Sequence, residues 1–372
     1  MIRHVEIENF KSHKHTKLDF SNLTIFCGAN SSGKSSVIQA LLLLRDASFN
    51  SPDFEYANLK SNLINIGTAK EVLYQFADKD NITFSVTTDK QDLLFVSSIQ
   101  DLTKTILPIA NRNTTVNKNE SLFTNSFQFI SAYRLGPQVS YMKDDRMDID
   151  NQISFEAGKA ERVIQFLDKK RYENVLSEIC IHEYATDLFT QVTAWAREIS
   201  SGVNVIVKDN GKLGYELKYQ FNSNTSLGRT DEFNAVNVGF GLTYALPVIV
   251  AILSAHKDAI LFIENPEAHL HPRGQAKLAE LIALASQAGI QIVIETHSDH
   301  IINGILVQCK KFESEIKGIE KKNVSLFYFS EKDERQASTV EKIEILESGK
   351  IDRQPEGFFD QIQRDLKIIV GF

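Results

Sequence analysis

Cysteine is scarce in this chain, with three among 372 residues. Cys27, Cys180 and Cys309 are widely separated and form no C-x-x-C pair, so neither a zinc site nor a disulfide framework is expected, and the usage fits a reducing cytoplasm. Long apolar runs are missing too. The longest, residues 245–253, is far shorter than a membrane span. The opening string Met1-Ile2-Arg3-His4-Val5-Glu6-Ile7-Glu8 alternates like a strand and carries no charged-then-apolar leader. A cytoplasmic protein without a membrane partner is the expectation. Nor is there an excess of positive charge: Lys and Arg total 41 against 48 for Asp and Glu, a net charge of -7. The mean surface therefore does not attract nucleic acid, which stays open as a partner only through local basic patches. The one tryptophan, Trp195, reads as a packing residue and not as a base-stacking platform. What is present is globular usage, 42% hydrophobic and 24% charged, in enough chain for one large domain or two moderate ones.

The most informative string is Gly28-Ala29-Asn30-Ser31-Ser32-Gly33-Lys34-Ser35-Ser36, set between the apolar run 23–27 and the apolar-rich segment 37–44. It reads as strand, phosphate loop, helix. In the pattern G-x-x-x-x-G-K-S, backbone N–H groups curl around phosphates, Lys34 reaches the terminal phosphates, and the Ser35 hydroxyl ligates magnesium at a helix N-terminus. A nucleoside triphosphate with magnesium is the expected ligand, bound by Gly28, Asn30, Ser31, Ser32, Gly33, Lys34, Ser35 and Ser36. Lys34, read as a surface lysine, should give its charge to phosphates and little to the core.

Ahead of this loop, Val5 and Ile7 alternate inward against His4, Glu6 and Glu8, followed by Asn9-Phe10-Lys11-Ser12-His13 and a second strand through residues 18–20. A short strand, N-F-K-S-H, a second strand and G-A-N-S-S-G-K-S-S together resemble the N-terminal lobe of ABC-type ATPase heads in chromosome-maintenance and double-strand-break-repair proteins. The resemblance covers residues 1–45 and implies that Lys11 lies near the nucleotide. Residues 48–130 hold short alternating runs and read as a β-rich accessory flap, with a mobile polar loop at 111–120. A buried strand at 127–130 runs into the turn Arg134-Leu135-Gly136-Pro137, residues 160–200 read as a helical insertion, and 203–217 as a hairpin.

Further along, Asn237-Val238-Gly239-Phe240-Gly241 precedes an apolar helix read over 244–255. The string resembles the ABC signature in the variant found in prokaryotic ATPases related to the overcoming-lysogenisation-defect group. That resemblance implies that Asn237, Gly239 and Gly241 approach a γ-phosphate held by a partner subunit, so that two heads close over two nucleotides. Four apolar residues then lead into Glu264, a buried parallel strand that delivers a carboxylate where the ligand of an open α/β sheet sits. Glu264 takes the Walker B position and joins Ser35 as a magnesium residue. The string E-N-P-E-A-H-L-H-P over 264–272 resembles the same prokaryotic group, with His269 and His271 read as facing a dimer seam. A second apolar strand ends in Glu295-Thr296-His297-Ser298, which matches the switch-histidine motif and implies that His297 meets the γ-phosphate or the attacking water. Asn265 stands where a catalytic glutamate is usual, and its amide cannot accept a proton. Glu267, past Pro266, is the favoured general base. Glu264, Glu295, or water held by Asn265 and His297 are the alternatives.

Residues 351–360 resemble the W-P-x-G-F-F-D ending of a small domain of unknown function attached to such ATPases, with Gln354 in place of the tryptophan. No heptad arm, H-N-H motif or second acidic nuclease-like stretch is visible. The expected fold is α/β, a P-loop NTPase of ABC-ATPase-head type with a mixed, largely parallel sheet, spanning 1–350 and followed by a small segment at 351–372. The resemblance implies an ATP-hydrolysing homodimer that regulates a separately encoded effector such as a nuclease, in defence against phage or plasmid. A DNA-repair ATPase that binds DNA and a slowly hydrolysing scaffold remain open here.

Overall fold

The strands that carry the candidate residues are apolar at nearly every position because they lie inside a two-faced sheet. In the computed structural model, which describes residues 1–51, 53–110, 116–223, 228–330, 332–355 and 361–371, six strands form the central sheet. Their order is Val340–Ile343, Val324–Phe329, Leu23–Gly28, Gln291–Glu295, Ile260–Glu264, Phe127–Ile130. The last five run parallel, and Val340–Ile343 is antiparallel at the edge. Alternation along each strand feeds two cores: Leu23, Ile25, Cys27, Ile292 and Ile294 enter one, Phe26, Val293 and Phe262 the other. The first core is closed by the helices Leu188–Ile199, Phe240–Leu253, Pro272–Gln287 and Asp299–Glu315. The second is closed by the helix Lys34–Asn50 and an antiparallel sheet. Each fully buried Leu, Ile or Val contributes roughly 1.5–3 kcal/mol, so these two clusters hold the layers together far more than any single polar contact does. A mixed sheet between helical and β layers is the α/β head architecture that the sequence implies.

Within the β-rich region 48–130, the hairpin 81–98 extends the N-terminal sheet. Asn81–Thr88 pairs antiparallel with Ile2–Phe10, Val5 opposite Val86 and Ile7 opposite Phe84, and Asp92–Ser98 extends the sheet on the far side. The first strand has two edges, and His13–Asp19 fills only one of them, so the later hairpin completes a single N-terminal lobe. Of the polar tract 111–120, residues 111–115 lie outside the described residues. At the end of the tract Glu120 is buried and accepts a hydrogen bond from Thr88 Oγ1 at 2.6 Å, while Lys118 and Asn119 stay exposed. Within 160–200, regular helix is confined to Val163–Lys169 and Leu188–Ile199, with a 3-10 turn at Ser177–Ile179. Trp195 is buried among them and donates its indole N–H to the Ile179 carbonyl at 2.9 Å. Of the C-terminal string, residues 356–360 lie outside the described residues. No described helix is long and apolar enough to cross a membrane.

Candidate functional site

The phosphate loop leaves the strand Leu23–Gly28 at a glycine that no other residue can replace without a clash. Gly28 has φ 123°, and a Cβ there would fall 2.1 Å from the Phe329 carbonyl oxygen of the neighbouring strand. Ala29 N–H donates to that same carbonyl at 3.0 Å. Gly33, at φ 110°, stands immediately before the helix Lys34–Asn50, whose first-turn N–H groups have no partner within the helix and carry its positive dipole end. Ser32 Oγ donates to the Ala29 carbonyl at 2.8 Å, which closes the loop on itself. Lys34 is not the surface residue its motif suggests: it is 3% exposed and donates to the carbonyls of Ala29 (2.6 Å) and Gly28 (3.2 Å). Burial lowers its pKa, and Glu295 pulls it back up.

Two cavities meet at this loop. One of about 510 Å³ is lined by Lys11 and residues 31–36, together with Lys70, Tyr74, Glu295 and Lys332. The other, about 370 Å³, is lined by Ser35, Gln39, Ser131, Glu264, Asn265, Glu295 and His297. Ser35 and Glu295 border both, so they form the partition between the two. Lys11, held at φ 52°, is part-buried and donates to Gln39 Oε1 at 2.6 Å. Asn30 is exposed at the loop tip and lines neither cavity.

Parallel register explains how the acids converge. Ile260–Glu264 and Gln291–Glu295 are adjacent parallel strands, each apolar until a terminal glutamate, and the pairing sets Glu264 opposite Glu295. Glu264 Oε2 accepts from Ala132 N–H (3.0 Å) and Ser131 Oγ (3.2 Å), both at the end of the neighbouring strand. Ser35 Oγ donates to Glu295 Oε1 at 3.0 Å, and Glu295 Oε2 is buried with no partner. Glu295 therefore stands nearer the Ser35 hydroxyl than its place in E-T-H-S suggests. The sequence offers Glu295 as an alternative base because a second apolar strand ends in a glutamate, and the parallel pairing is what sets it opposite Glu264. A hydroxyl and two carboxylates, one with a vacant buried oxygen, are hard oxygen donors that fit magnesium, an ion that keeps several waters and takes its other ligands from phosphates. No group of three or more His, Cys, Asp and Glu among the described residues could hold a metal by itself, so the fit needs phosphate oxygens.

Arg134 ties the acidic strand ends together. Its side chain is 2% exposed and donates to the carbonyls of Tyr244 (2.8 Å), Ser131 (3.1 Å), Glu264 (2.9 Å) and Asn265 (2.7 Å). Burial pushes its pKa down to about 10, while Glu267, Tyr244 and Glu264 pull it up. Asn265 needs that support because its backbone sits at φ 44°. Glu267 does not line the second cavity. Its Oε1 accepts the His297 backbone N–H at 3.0 Å, and its Oε2 is buried and unpartnered. Burial raises the Glu267 pKa. Burial also lowers the His297 pKa, with Lys34 adding to the effect. The signature residues stand apart: Gly239 caps the helix Phe240–Leu253, which starts before the expected 244, Gly241 lies in its first turn, and Asn237 is exposed. This turn packs on the E-N-P-E-A-H-L-H segment, since a Cβ on Gly241 would fall 2.4 Å from the His269 carbonyl oxygen. His271 caps the helix Pro272–Gln287, its Nδ1 accepting from Arg273 N–H.

The Glu295 carboxyl has its pKa raised from 4.5 to about 7, first by burial, with Glu264 adding and the Ser35 hydrogen bond opposing. The folded chain then holds a proton that the unfolded chain has lost. The stability this contributes is fully present below pH 4.5 and is lost as pH rises through about 7. Melting temperatures of the nucleotide-free protein should decline across that window, and Glu295→Gln should flatten the decline. An unchanged slope would assign the titration to another group.

Comparison with known proteins follows the same lines. A family model described as "AAA domain, putative AbiEii toxin, Type IV TA system" matches residues 111–303, an AAA ATPase domain model matches 1–182, and a family of unknown function, DUF3696, matches 319–368. No curated protein matches the sequence. Among solved structures, an SMC head bound to the C-terminal winged-helix domain of ScpA is 14% identical. It covers 92% of this chain and 98% of its own, with a TM-score of 0.54. An SMC head with an extended coiled coil, bound to the C-terminal domain of ScpA derived from Pyrococcus furiosus, is 13% identical. It covers 100% of this chain and 98% of its own, with a TM-score of 0.50. At these identities the likeness concerns the fold.

Proposed function

Because the chain belongs to the family of AAA domains described as putative AbiEii toxins of type IV toxin–antitoxin systems, we propose that it binds and hydrolyses magnesium–ATP at the phosphate loop and uses the nucleotide state to control a partner. One observation carries the reading. Ser35 and Glu295 join the phosphate-loop cavity to the one bordered by Glu264, Asn265 and His297, at the C-terminal edge of a parallel sheet, where such folds bind ligands.

In the proposed mechanism the loop N–H groups and the helix N-terminus cradle the phosphates, and Lys34 turns from its two carbonyls onto the terminal phosphates. Ser35 and Glu264 would hold magnesium, with the free oxygen of Glu295 beside them, and the ion would supply positive charge to the phosphate oxygens. Arg134 positions the Glu264–Asn265 turn, His297 orients water at the γ-phosphate, and Glu267 takes the proton. ATPase assays with and without DNA test this reading: turnover independent of DNA supports it, DNA-stimulated turnover favours a repair ATPase, and no turnover leaves a nucleotide-gated scaffold.

The signature turn lines neither cavity of its own chain, and Phe240 beside it is 61% exposed. Asn237, Gly239 and Gly241 are thus proposed to complete the site of a second copy. The hydrolysis-blocked variant Glu267→Gln should run as a dimer by light scattering once ATP is added, and a monomer under that condition would refute the composite site. A dimer with or without ATP leaves complementation to decide: Lys34→Ala mixed with Gly239→Arg should recover part of the activity. Control of a separately encoded effector such as a nuclease, in cytoplasmic defence against phage or plasmid, is supported by the family description and by the partner domain bound on related heads.

A further inference from the structure

Part of the wall of the phosphate-loop cavity comes from a C-terminal segment that has no role in the mechanism above. The turn between Val324–Phe329 and Val340–Ile343 lies in the stretch matched by the family of unknown function. Two of its residues, Lys332 and Gln336, line the same cavity as residues 31–36.

The turn is fastened to the loop. Ser338 Oγ donates to the Ser32 carbonyl oxygen at 2.6 Å and stands 2.7 Å from Ser12 Oγ, while Ser338 N–H donates to the Ser12 carbonyl at 2.7 Å. Tyr74 OH donates to the Arg335 carbonyl at 2.8 Å, and the Asp333 carboxylate holds the turn from within by accepting from the N–H groups of Arg335 and Ala337, each at 2.8 Å. A Cβ on Gly33 would fall 2.3 Å from Ser338 Oγ. The second glycine of the phosphate loop is therefore demanded by the C-terminal turn as well as by its own φ. His13, whose Nε2 lies 3.0 Å from the Gly33 carbonyl oxygen, feels Lys332 as a positive charge.

Charge identifies the ligand class. Lys11, Lys34, Lys70 and Lys332 line this cavity against Glu71 and Glu295, and Glu71 is occupied in capping Thr68. An excess of ammonium groups around a phosphate loop fits a polyanion. We propose that the turn formed by residues 332–338 is a working part of the nucleotide site: Lys332 contacts the phosphates of the nucleoside triphosphate bound in its own chain, and Ser338 keeps that wall fixed to the loop. The inference rests on the nucleotide reading above, and it makes the C-terminal segment sensitive to whether nucleotide is present.

Titration of the full chain with a fluorescent ATP analogue and magnesium tests it, with Lys34→Ala reporting on the phosphate loop itself. Lys332→Ala should weaken binding about tenfold and Lys332→Glu further, Lys332→Arg should bind close to wild type, and the alanine variant should depend less on salt. Hydrogen exchange at 332–338 should slow when ATP is added to wild type and stay unchanged in Lys34→Ala. If wild type binds, Lys34→Ala does not, and both Lys332→Ala and Lys332→Glu bind like wild type without ATP-dependent protection of 332–338, the turn is only a wall; the proposal is overturned and the nucleotide reading stands. If wild type binds no nucleotide, both are overturned.

Discussion

Lys34→Ala should leave no ATP binding that a fluorescent-nucleotide titration can detect and should lower the ATPase rate to background. The ammonium is held in the loop, within hydrogen-bond distance of the Gly28 and Ala29 carbonyls, and has only to rotate onto a phosphate. That motion exchanges two neutral acceptors for a charged one, which is the stronger bond. Alanine removes the only loop cation and leaves those carbonyls without their donor. Since Lys34 is buried, the substitution also acts on the apo fold, where the lost charge-assisted bonds are worth roughly 1.5–3 kcal/mol before water repairs the gap. A lowered melting temperature with an unchanged circular-dichroism spectrum is the expected accompaniment. Equal ATPase rates for the two proteins would end the assignment of Lys34 to the phosphates.

Glu267→Gln should cut turnover by roughly two to four orders of magnitude while ATP binding and association persist. The structure makes this substitution informative because glutamine keeps an oxygen that can accept the His297 N–H, so the turn that carries His297 stays in place. What disappears is a buried carboxylate oxygen without a partner, on a group whose affinity for protons is raised by burial. A base needs that raised affinity to take a proton near neutral pH. If Glu267→Gln hydrolyses ATP at the wild-type rate, Glu267 only braces the His297 turn. Glu295, on the Ser35 hydroxyl and bordering both cavities, then becomes the next candidate for the base.

The α/β head fold and the strands and loop that carry the candidate residues were legible from residues 28–36, 260–264 and 291–297, because each depends on local pattern. A phosphate loop needs glycines and a lysine at set spacing, and a strand of a parallel sheet reads as a short apolar run. What alternation cannot reveal is which strand becomes a neighbour. The pairing of Asn81–Thr88 with Ile2–Phe10 added the hairpin 81–98 to the N-terminal sheet, and the parallel register of Ile260–Glu264 with Gln291–Glu295 placed Glu295 opposite Glu264. Strand pairing is decided by which faces must be buried together across long stretches of chain, and no local window contains that information. The same holds for burial of single groups. In sequence Lys34 reads as a surface phosphate-loop lysine and Arg134 as a polar residue at a strand end, and the stretch carrying Lys332 and Ser338 holds no motif, so nothing local reveals their burial or their partners. The sequence by itself determined that a triphosphate-type loop, an acidic strand end and a histidine strand end exist; the tertiary structure alone decided that Glu295 joins them, that Arg134 locks the acidic turn, and that the C-terminal segment reaches the loop. The reason is that hydrogen-bond partners and desolvation are set by residues brought together from opposite ends of the chain.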